Sequence, residues 1–593
     1  MGRVKKHIAQ KRKQALKAGK ARRDKQQTLP PPPPPVPPKQ QTPPPPPVPP
    51  TSAQKRKSLV TQDSSEKKGV SREHIIVVKD DIEFLVKNMA CGECLSDELE
   101  ITFTQHQIDT YYKVNCENGH VIIDTNMTRK PKMPVKEKYY PLTTMLVFCM
   151  MMLGVGYDGV SKILAYLSLK HFTEQTYIRT AKYLTKKATI HTDNILEKSR
   201  SVVYEHYSNK EGGLDNGMAN VDVTFDGSWH KRGHKSNFGV AATVDVDLGL
   251  VLDYSVCSKL CTMCTRKKMD LKNEKITEQD YNTWYENHRN VCEVNFSGPS
   301  GGMEKHAAVE LWSNTTRNNM MYRTFLSDGD SSAYKAVCEL NNNKGPYGEQ
   351  YKVEKAECIN HVAKRLGTSL REKKKTAEKG KMSGRHKLTD LVIDHLQFYF
   401  QLSLKRKLHT SPSEMRDEIL STFYHCTSTD AKPQHQLCPK GKESWCFYNK
   451  AMACNKTPAS HSSMLVYFHL SQKEQDQVKA VYDRLTTDEM MSRCIKGLTQ
   501  NRNEHLHSRI WRLCPKHRNA SPRMIKFATA TAIANYNAGY LGSNFNHLLG
   551  IDFTTSMETY LKERDKKMDS PIRRKMRKKF IRKALEDYAA GGF

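Results

Sequence analysis

The stretch ANVDVTFDGSWH, residues 219–230, alternates Val221, Val223 and Phe225 against Asp222, Thr224 and Asp226. A period of two marks a strand with one face in a core. Asp226 comes last, just before Gly227. A carboxylate there is costly to bury and well placed to hold a metal ion. NFGVAATVDVD (237–247) and GLVLDYSVCSK (249–259) follow as two more strands with short turns.

Reading outward, GGMEKHAAVELWSNTTRNN (301–319) is helical, and Tyr322 to Leu326 is a short apolar strand. Asp328 and Asp330 lie just past its end, before the helix AYKAVCEL. A strand-like YKVEKAECIN and the helix HVAKRLGTSLREKKK come next. The order β-β-β-α-β-α-β-α is that of the ribonuclease H fold, an α/β class with a mixed sheet. Carboxylates at the ends of its first and fourth strands can meet in space. Taken singly, each Asp would read as a helix cap or turn residue; their shared placement favours a site. A third acid is expected late in the chain. The candidate is Glu504 in TQNRNEHLHSRIWRLCPKH, a helical stretch with Leu506, Ile510 and Trp511 on its apolar side.

Charge points to the partner. The 593 residues carry 95 Lys and Arg against 63 Asp and Glu, a net charge of +32. Residues 1–27 hold eleven basic residues and one acid, and residues 571–583 hold eight and none. The body between them is basic as well. An excess of this size favours a polyanion as partner, most simply nucleic acid. The most apolar run, Met145 to Gly156, has 12 residues, against about 20 for a bilayer span, so no membrane partner is expected. The N-terminus reads as charged throughout and not as a secretory signal. The 16 Cys are therefore expected as reduced thiols, with metal binding favoured over disulfides for paired ones.

Three Cys/His clusters stand out. Cys91-x2-Cys94 is followed after 21 residues by Cys116-x3-His120. Two close pairs flanking a hairpin-length stretch can converge on one tetrahedral Zn²⁺, which would supply folding energy that so small a module lacks. Cys261-x2-Cys264 and His288-x3-Cys292, 23 residues apart, repeat the logic, with Cys257 near enough to replace one ligand. The third set, His425, Cys426, His435, Cys438 and Cys446, offers five candidates for four positions. All three read as closed, structural sites.

Other segments fill the frame. Residues 156–184 (GYDGVSKILAYLSLKHFTEQTYIRTAKYL) place Ile163, Leu164 and Leu167 on one apolar face. Thr173 suits an N-cap there, and Tyr177, Ile178 and Ala181 continue at helical spacing. Two helices with a tight connection match a helix-turn-helix that reads DNA, or an ordinary helical hairpin. Pro30 to Pro50 is mostly proline, a polyproline II spacer. The expected organisation has a disordered basic and proline-rich tail at 1–74, then a zinc-ribbon-like module at 75–135. A helical, helix-turn-helix-like segment spans 136–208, and the catalytic core 209–384 carries a zinc-binding insertion at 257–295. A helical insertion with the third cluster spans 385–500, the core closes over 501–550, and a basic tail spans 551–593. The clusters Lys11-Arg12-Lys13, Lys55-Arg56-Lys57 and Arg573-Arg574-Lys575 suit nuclear import or DNA contact.

VTFDGSW, SGPSGGME, FLSDGDSSAYK, CINHVAKRLG and NEHLHSRIWRLCPK, in that order, together resemble the Mutator-like transposase domain found in animal mobile elements. The resemblance covers roughly 75–550. It implies a DDE-type catalytic core of ribonuclease H fold interrupted by a helical insertion. It also implies the acids Asp226, Asp328 and Glu504 holding Mg²⁺ or Mn²⁺, with Asp222 and Asp330 as alternatives. Cys358 and His361 match the family's C/D-x-x-H motif and are expected near DNA or bracing the core. The implied partner is double-stranded DNA, both element terminal repeats and target, bound by a homo-oligomer in the nucleus. Two functions fit: a transposase that cleaves and joins DNA, or a transposase-derived DNA-binding protein without catalysis. A zinc-dependent interaction scaffold would explain the Cys pairs but not the ordered acids.

Overall fold

A computed structural model describes residues 76–125, 140–232, 235–327, 331–377, 387–464, 470–545 and 554–568. The basic and proline-rich N-terminal segments, Asp328, Asp330 and the three basic clusters lie outside these residues. Among the described residues, no helix is long and apolar enough to cross a membrane.

The first module begins with helix α1 (Lys79–Lys87) and continues as strands β1 (Leu99–His106), β2 (Asp109–Cys116) and β3 (Val121–Asp124). They form an antiparallel sheet in the order β1-β2-β3. Asp109 is buried and tethers the module to the next helix, α2 (Pro141–Met152). Its carboxylate accepts from the backbone N–H of Leu142 at 3.0 Å and of Thr143 at 3.1 Å. It thus caps the helix where unsatisfied N–H groups gather and the helix dipole favours an anion.

Helices α3 (Tyr157–Tyr166) and α4 (Glu174–Ser208) follow. Thr173 caps α4 as expected, accepting from the N–H of Thr176. The buried stripe differs from the sequence reading. Val160 and Leu164 point inward, while Ile163 and Leu167 are exposed; Ala181 is buried and Ile178 exposed. A one-residue step turns a helical side chain by about 100°, and Val160 and Leu164, four apart, share the face that meets α4. At 35 residues, α4 spans about 52 Å. Its first half packs with α2 and α3, and its last turns (Val203, Tyr207) enter the core beneath a second sheet. The helical segment therefore continues into that core.

The second sheet contains β4 (Leu214–Asp215), β5 (Met218–Trp229), β6 (Phe238–Asp245), β7 (Val251–Ser258), β8 (Met320–Ser327) and β9 (Glu354–Glu357). Its order is β7-β6-β5-β8-β9, with β4 paired to the start of β5. β5–β6 and β6–β7 are antiparallel; β5–β8 and β8–β9 are parallel. Every residue of β6 is buried, as a strand covered on both faces requires. One face, with Val221, Val223, Phe225 and Ala241, packs on helix α7 (Gly302–Asn314) through Met303, Leu311 and Trp312. Trp312 meets the rings of Phe225 and Phe325 at centroid distances of 5.7 and 4.7 Å. The other face, with Val240, Ala242 and Val244, packs on helices spanning Asn501–Leu513 and Pro522–Gly542. Between β7 and α7, helices α5 (Thr262–Lys272) and α6 (Glu278–His288) form the short insertion.

Past β8 comes α8 (Ser331–Cys338), and past β9 comes α9 (Ile359–Thr376). α9 joins α10 (Asp390–Arg406), α11 (Pro412–Thr427), α12 (Phe447–Ala453), α13 (Gln472–Leu485) and α14 (Asp488–Cys494) around a separate apolar core. Leu366, Leu396, Phe400, Ile419, Phe423 and Tyr482 lie at its centre. The helical insertion thus has its own interior, and it meets the sheet where α14 packs on β9. The chain then returns to the sheet through α15 (Asn501–Leu513) and α16 (Pro522–Gly542), and the described residues close with α17 (Thr555–Met568).

Candidate active site and metal centres

β5 presents Asp222, Thr224 and Asp226 to the face that carries α15. The docking of α15 is set by side chains that satisfy buried groups on both partners. The Thr224 hydroxyl donates to Asn503 Oδ1, and Asn503 Nδ2 donates to the carbonyl of Ala242 at 2.9 Å. Gln500 Nε2 donates to the carbonyl of Phe225 at 2.8 Å, and Trp511 Nε1 to Ser228 Oγ at 2.8 Å. Contacts at both ends of α15 fix its rotation over the strand.

That rotation determines what the acids meet. His507 is buried, and its Nδ1 stands 3.2 Å from Asp226 Oδ2. Glu504 lies three residues earlier on the same helix, on the neighbouring position of one face. Its carboxylate is 3.3 Å from His361 Nε2. The Glu504 side chain is 50% exposed and that of Asp226 21%, so both carboxylates keep access to solvent. α15 therefore brings Glu504 to within one turn of the residue that faces Asp226. The spacing of NEHLH contained this pairing, but nothing in the sequence singled out His507.

The CINH stretch clamps the start of α15. The Ile359 N–H donates to the carbonyl of Leu498 at 3.2 Å, and Asn360 Nδ2 to Asn501 Oδ1 at 3.2 Å. Cys358 is buried against Leu326 and Ala356, and burial pushes its thiol pKa up. It braces the ends of β8 and β9, while His361 reaches the acid. β8 ends at Ser327, in register with Glu357 of β9. Asp328, the next residue, lies outside the described residues, as does Asp330. Asp222, the alternative to Asp226, has other partners: it accepts from the Thr324 hydroxyl and pairs with Lys496 at 3.4 Å.

Cations border the site beyond Asp226. Lys516 Nζ is 3.4 Å from Ser228 Oγ and 5.0 Å from the centre of the Trp511 ring. Burial, with Arg232 nearby, lowers its pKa. Lys231 Nζ donates to the carbonyls of Lys516 and Arg518, each at 2.8 Å. The donor set of Asp226 and Glu504 is hard oxygen, suited to Mg²⁺ or Mn²⁺.

The Cys/His clusters are separate from these acids. Among the described residues, three groups of four place their donor atoms within 4.8 Å of one another. The first is Cys91, Cys94, Cys116 and His120. Cys116 Sγ lies 3.4 Å from His120 Nδ1, whose Nε2 faces Glu93 at 3.5 Å. The Asn118 amide and the Ser96 backbone hold the Cys94 thiol down at about 6. The second is Cys261, Cys264, His288 and Cys292, with Cys261 Sγ 3.3 Å from His288 Nε2 and Trp284 stacked on that imidazole. Cys257 is not in this group; it points into the core under the sheet.

The third group is His425, His435, Cys438 and Cys446, all buried. Cys426 is excluded. Its neighbour His425 takes the ligand direction, and a step of about 100° around α11 turns Cys426 into the apolar core of the insertion. Sulfur and imidazole donors at these separations fit tetrahedral Zn²⁺. The sequence reading also missed His461, which stacks on His435 at 5.2 Å.

A search of curated proteins finds no match to the chain. A family model described as Mutator-like transposase matches residues 74–446. The matched span takes in Asp226, the CINH stretch and all three Cys/His groups, and it ends before the helix that carries Glu504. It covers more than half of the sequence, and the chain belongs to the Mutator-like transposase family.

Proposed function

We propose that this protein is a DDE-type DNA transposase with a ribonuclease H-like core, in which Asp226, Asp328 and Glu504 hold Mg²⁺ or Mn²⁺. The observation that carries the reading is α15, which crosses β5 so that His507 stands against Asp226 and Glu504 lies one turn away. Strand order supports it too: three antiparallel strands followed by two parallel ones, with Asp226 on the central strand β5. Divalent cations bound there would supply charge stabilisation on the attacking and leaving oxygens of an in-line displacement at phosphorus. His507 and His361 hold the two carboxylates in place. Lys516 and Lys231 line the approach of a phosphate backbone beyond Asp226. The attacking oxygen, of water or of a freed DNA 3′-hydroxyl, forms a new bond to phosphorus as the bond to the leaving 3′-oxygen breaks.

The partners follow as part of the same proposal: double-stranded DNA of the element ends and of the target, engaged by a homo-oligomer in the nucleus. Purified full-length protein is incubated with Mn²⁺ and DNA from the flanks of its gene. Nicking at the ends that is lost in Asp226→Ala supports the proposal. Salt-sensitive binding without nicking supports the second reading, a transposase-derived DNA-binding protein. That reading draws on the net charge of +32, which needs no acid site. Removing all three basic clusters and still finding the protein in the nucleus would refute their role in import.

A further inference from the structure

The third Cys/His group has a layer behind it. His435 is buried, and its two ring nitrogens face different partners. Nδ1 is 3.5 Å from Cys446 Sγ and 3.8 Å from Cys438 Sγ. Nε2 is 2.9 Å from Nε2 of the equally buried His461. On the far side, His461 Nδ1 is 2.5 Å from Asp430 Oδ1. Asp430 is fixed in turn, accepting from the His461 N–H at 2.9 Å and from Ser460 Oγ at 2.6 Å. Ser428 Oγ sits 3.1 Å from His435 Nε2 and 2.9 Å from His461 Nε2, and accepts from the Gln434 N–H.

Two imidazole nitrogens facing each other at hydrogen-bond distance need one proton between them. A ligand imidazole gives a lone pair to the metal from one nitrogen and keeps its proton on the other. With Nδ1 of His435 toward the thiolates, its proton is on Nε2. His461 Nε2 must then accept, so the His461 proton is on Nδ1, where Asp430 takes it. One set of neutral tautomers satisfies every bond in the chain. Among neutral tautomers, only this one leaves His435 Nδ1 free for a metal and also gives Asp430 the His461 Nδ1–H.

We propose that His461 and Asp430 are positioning residues of a third zinc site, a carboxylate–imidazole–imidazole chain that orients His435 and strengthens its donation to Zn²⁺. The ligands are His425, His435, Cys438 and Cys446. The chain ties the segment around His461 to the end of α11, so that metal binding orders both. The proposal is independent of the acid site.

The test uses the full-length protein titrated with a competing chelator, with zinc per chain measured by atomic emission. Cobalt substitution separates the sites, because the third has two thiolates and the others three. His461→Leu is expected to lose the third ion at about 10- to 100-fold lower chelator activity, with the other two ions retained. His461→Gln, whose Oε1 can accept from His435 Nε2–H, should recover most of the affinity. Asp430→Ala alters a largely exposed side chain and leaves the core intact; a several-fold loss is expected. Unchanged chelator resistance in both His461→Leu and Asp430→Ala would overturn the proposal. So would retention of the third ion in His425→Ala, which would make His461 itself a ligand.

Discussion

The acid site and the Cys/His groups make different demands on the chain. Each of the first two groups is drawn from one short segment, Cys91 to His120 and Cys261 to Cys292, where a hairpin or a pair of helices suffices to close it. The acid site joins β5, α9 and α15, with Asp226 and Glu504 278 positions apart. Its geometry rests on buried hydrogen bonds from Asn503, Gln500 and Trp511. A metal can organise a small local module outright. A site spread over hundreds of residues must be organised by packing before any ion arrives.

The largest effect separates the two regions by chemistry. Asp226→Ala should reduce end cleavage by about 10³-fold or more, while zinc content and DNA affinity stay at wild-type values. Loss of zinc in that variant would break the distinction. The converse change is Cys261→Ser. It should release the second zinc ion and expose α5 and α6 to limited proteolysis, while the thermal transition of the sheet core is retained. Metal analysis and fragment mapping check both points.

Asn503→Ala addresses the docking of α15. Asn503 is fully buried and bonds both Thr224 and the Ala242 carbonyl. Removing it leaves buried polar groups unsatisfied, at a cost of about 1–3 kcal/mol, measured by denaturant melts. Cleavage should fall with it, because Glu504 loses its fixed place. Wild-type cleavage in a destabilised Asn503→Ala would show that the site does not depend on this docking.

The last effect is seen only as a change with pH, and its group lies near the same helix. Asp245 is completely buried at the end of β6, and Arg502 of α15 donates to its backbone carbonyl. Burial, with Asp247 adding repulsion, pushes its carboxyl pKa up to about 6. The folded protein then retains a proton that the unfolded chain, with a carboxyl near 3.9, releases earlier. Stability from this group is full below about pH 4 and falls as pH rises through about 6, by about 2–3 kcal/mol. Asp245→Asn should flatten that slope in melts between pH 4 and 7. An unchanged slope would assign it to another group.

Much of this was legible because it is local. The alternation of Val221, Val223 and Phe225 against Asp222, Thr224 and Asp226 holds in the sheet, and eight of the zinc-ligand candidates fall into the first two groups with no exchange. Reading failed where neighbours in sequence compete for one direction. Cys426 was as good a candidate as His425 until helix rotation decided, and Ile163 lost the inward position to Val160. His461 and His507 carried no signal because their partners lie on other elements.

The sequence by itself determined the strand period, the paired Cys/His spacings and the excess of positive charge, all short-range or compositional properties. Only the tertiary structure decided that Asp226 faces His507 while Asp222 is taken by Lys496, and that α9 brings His361 to Glu504. Periodicity records which side of an element is apolar. It does not record which distant element covers that side, nor its rotation, and these depend on buried hydrogen bonds that form only when both partners have folded.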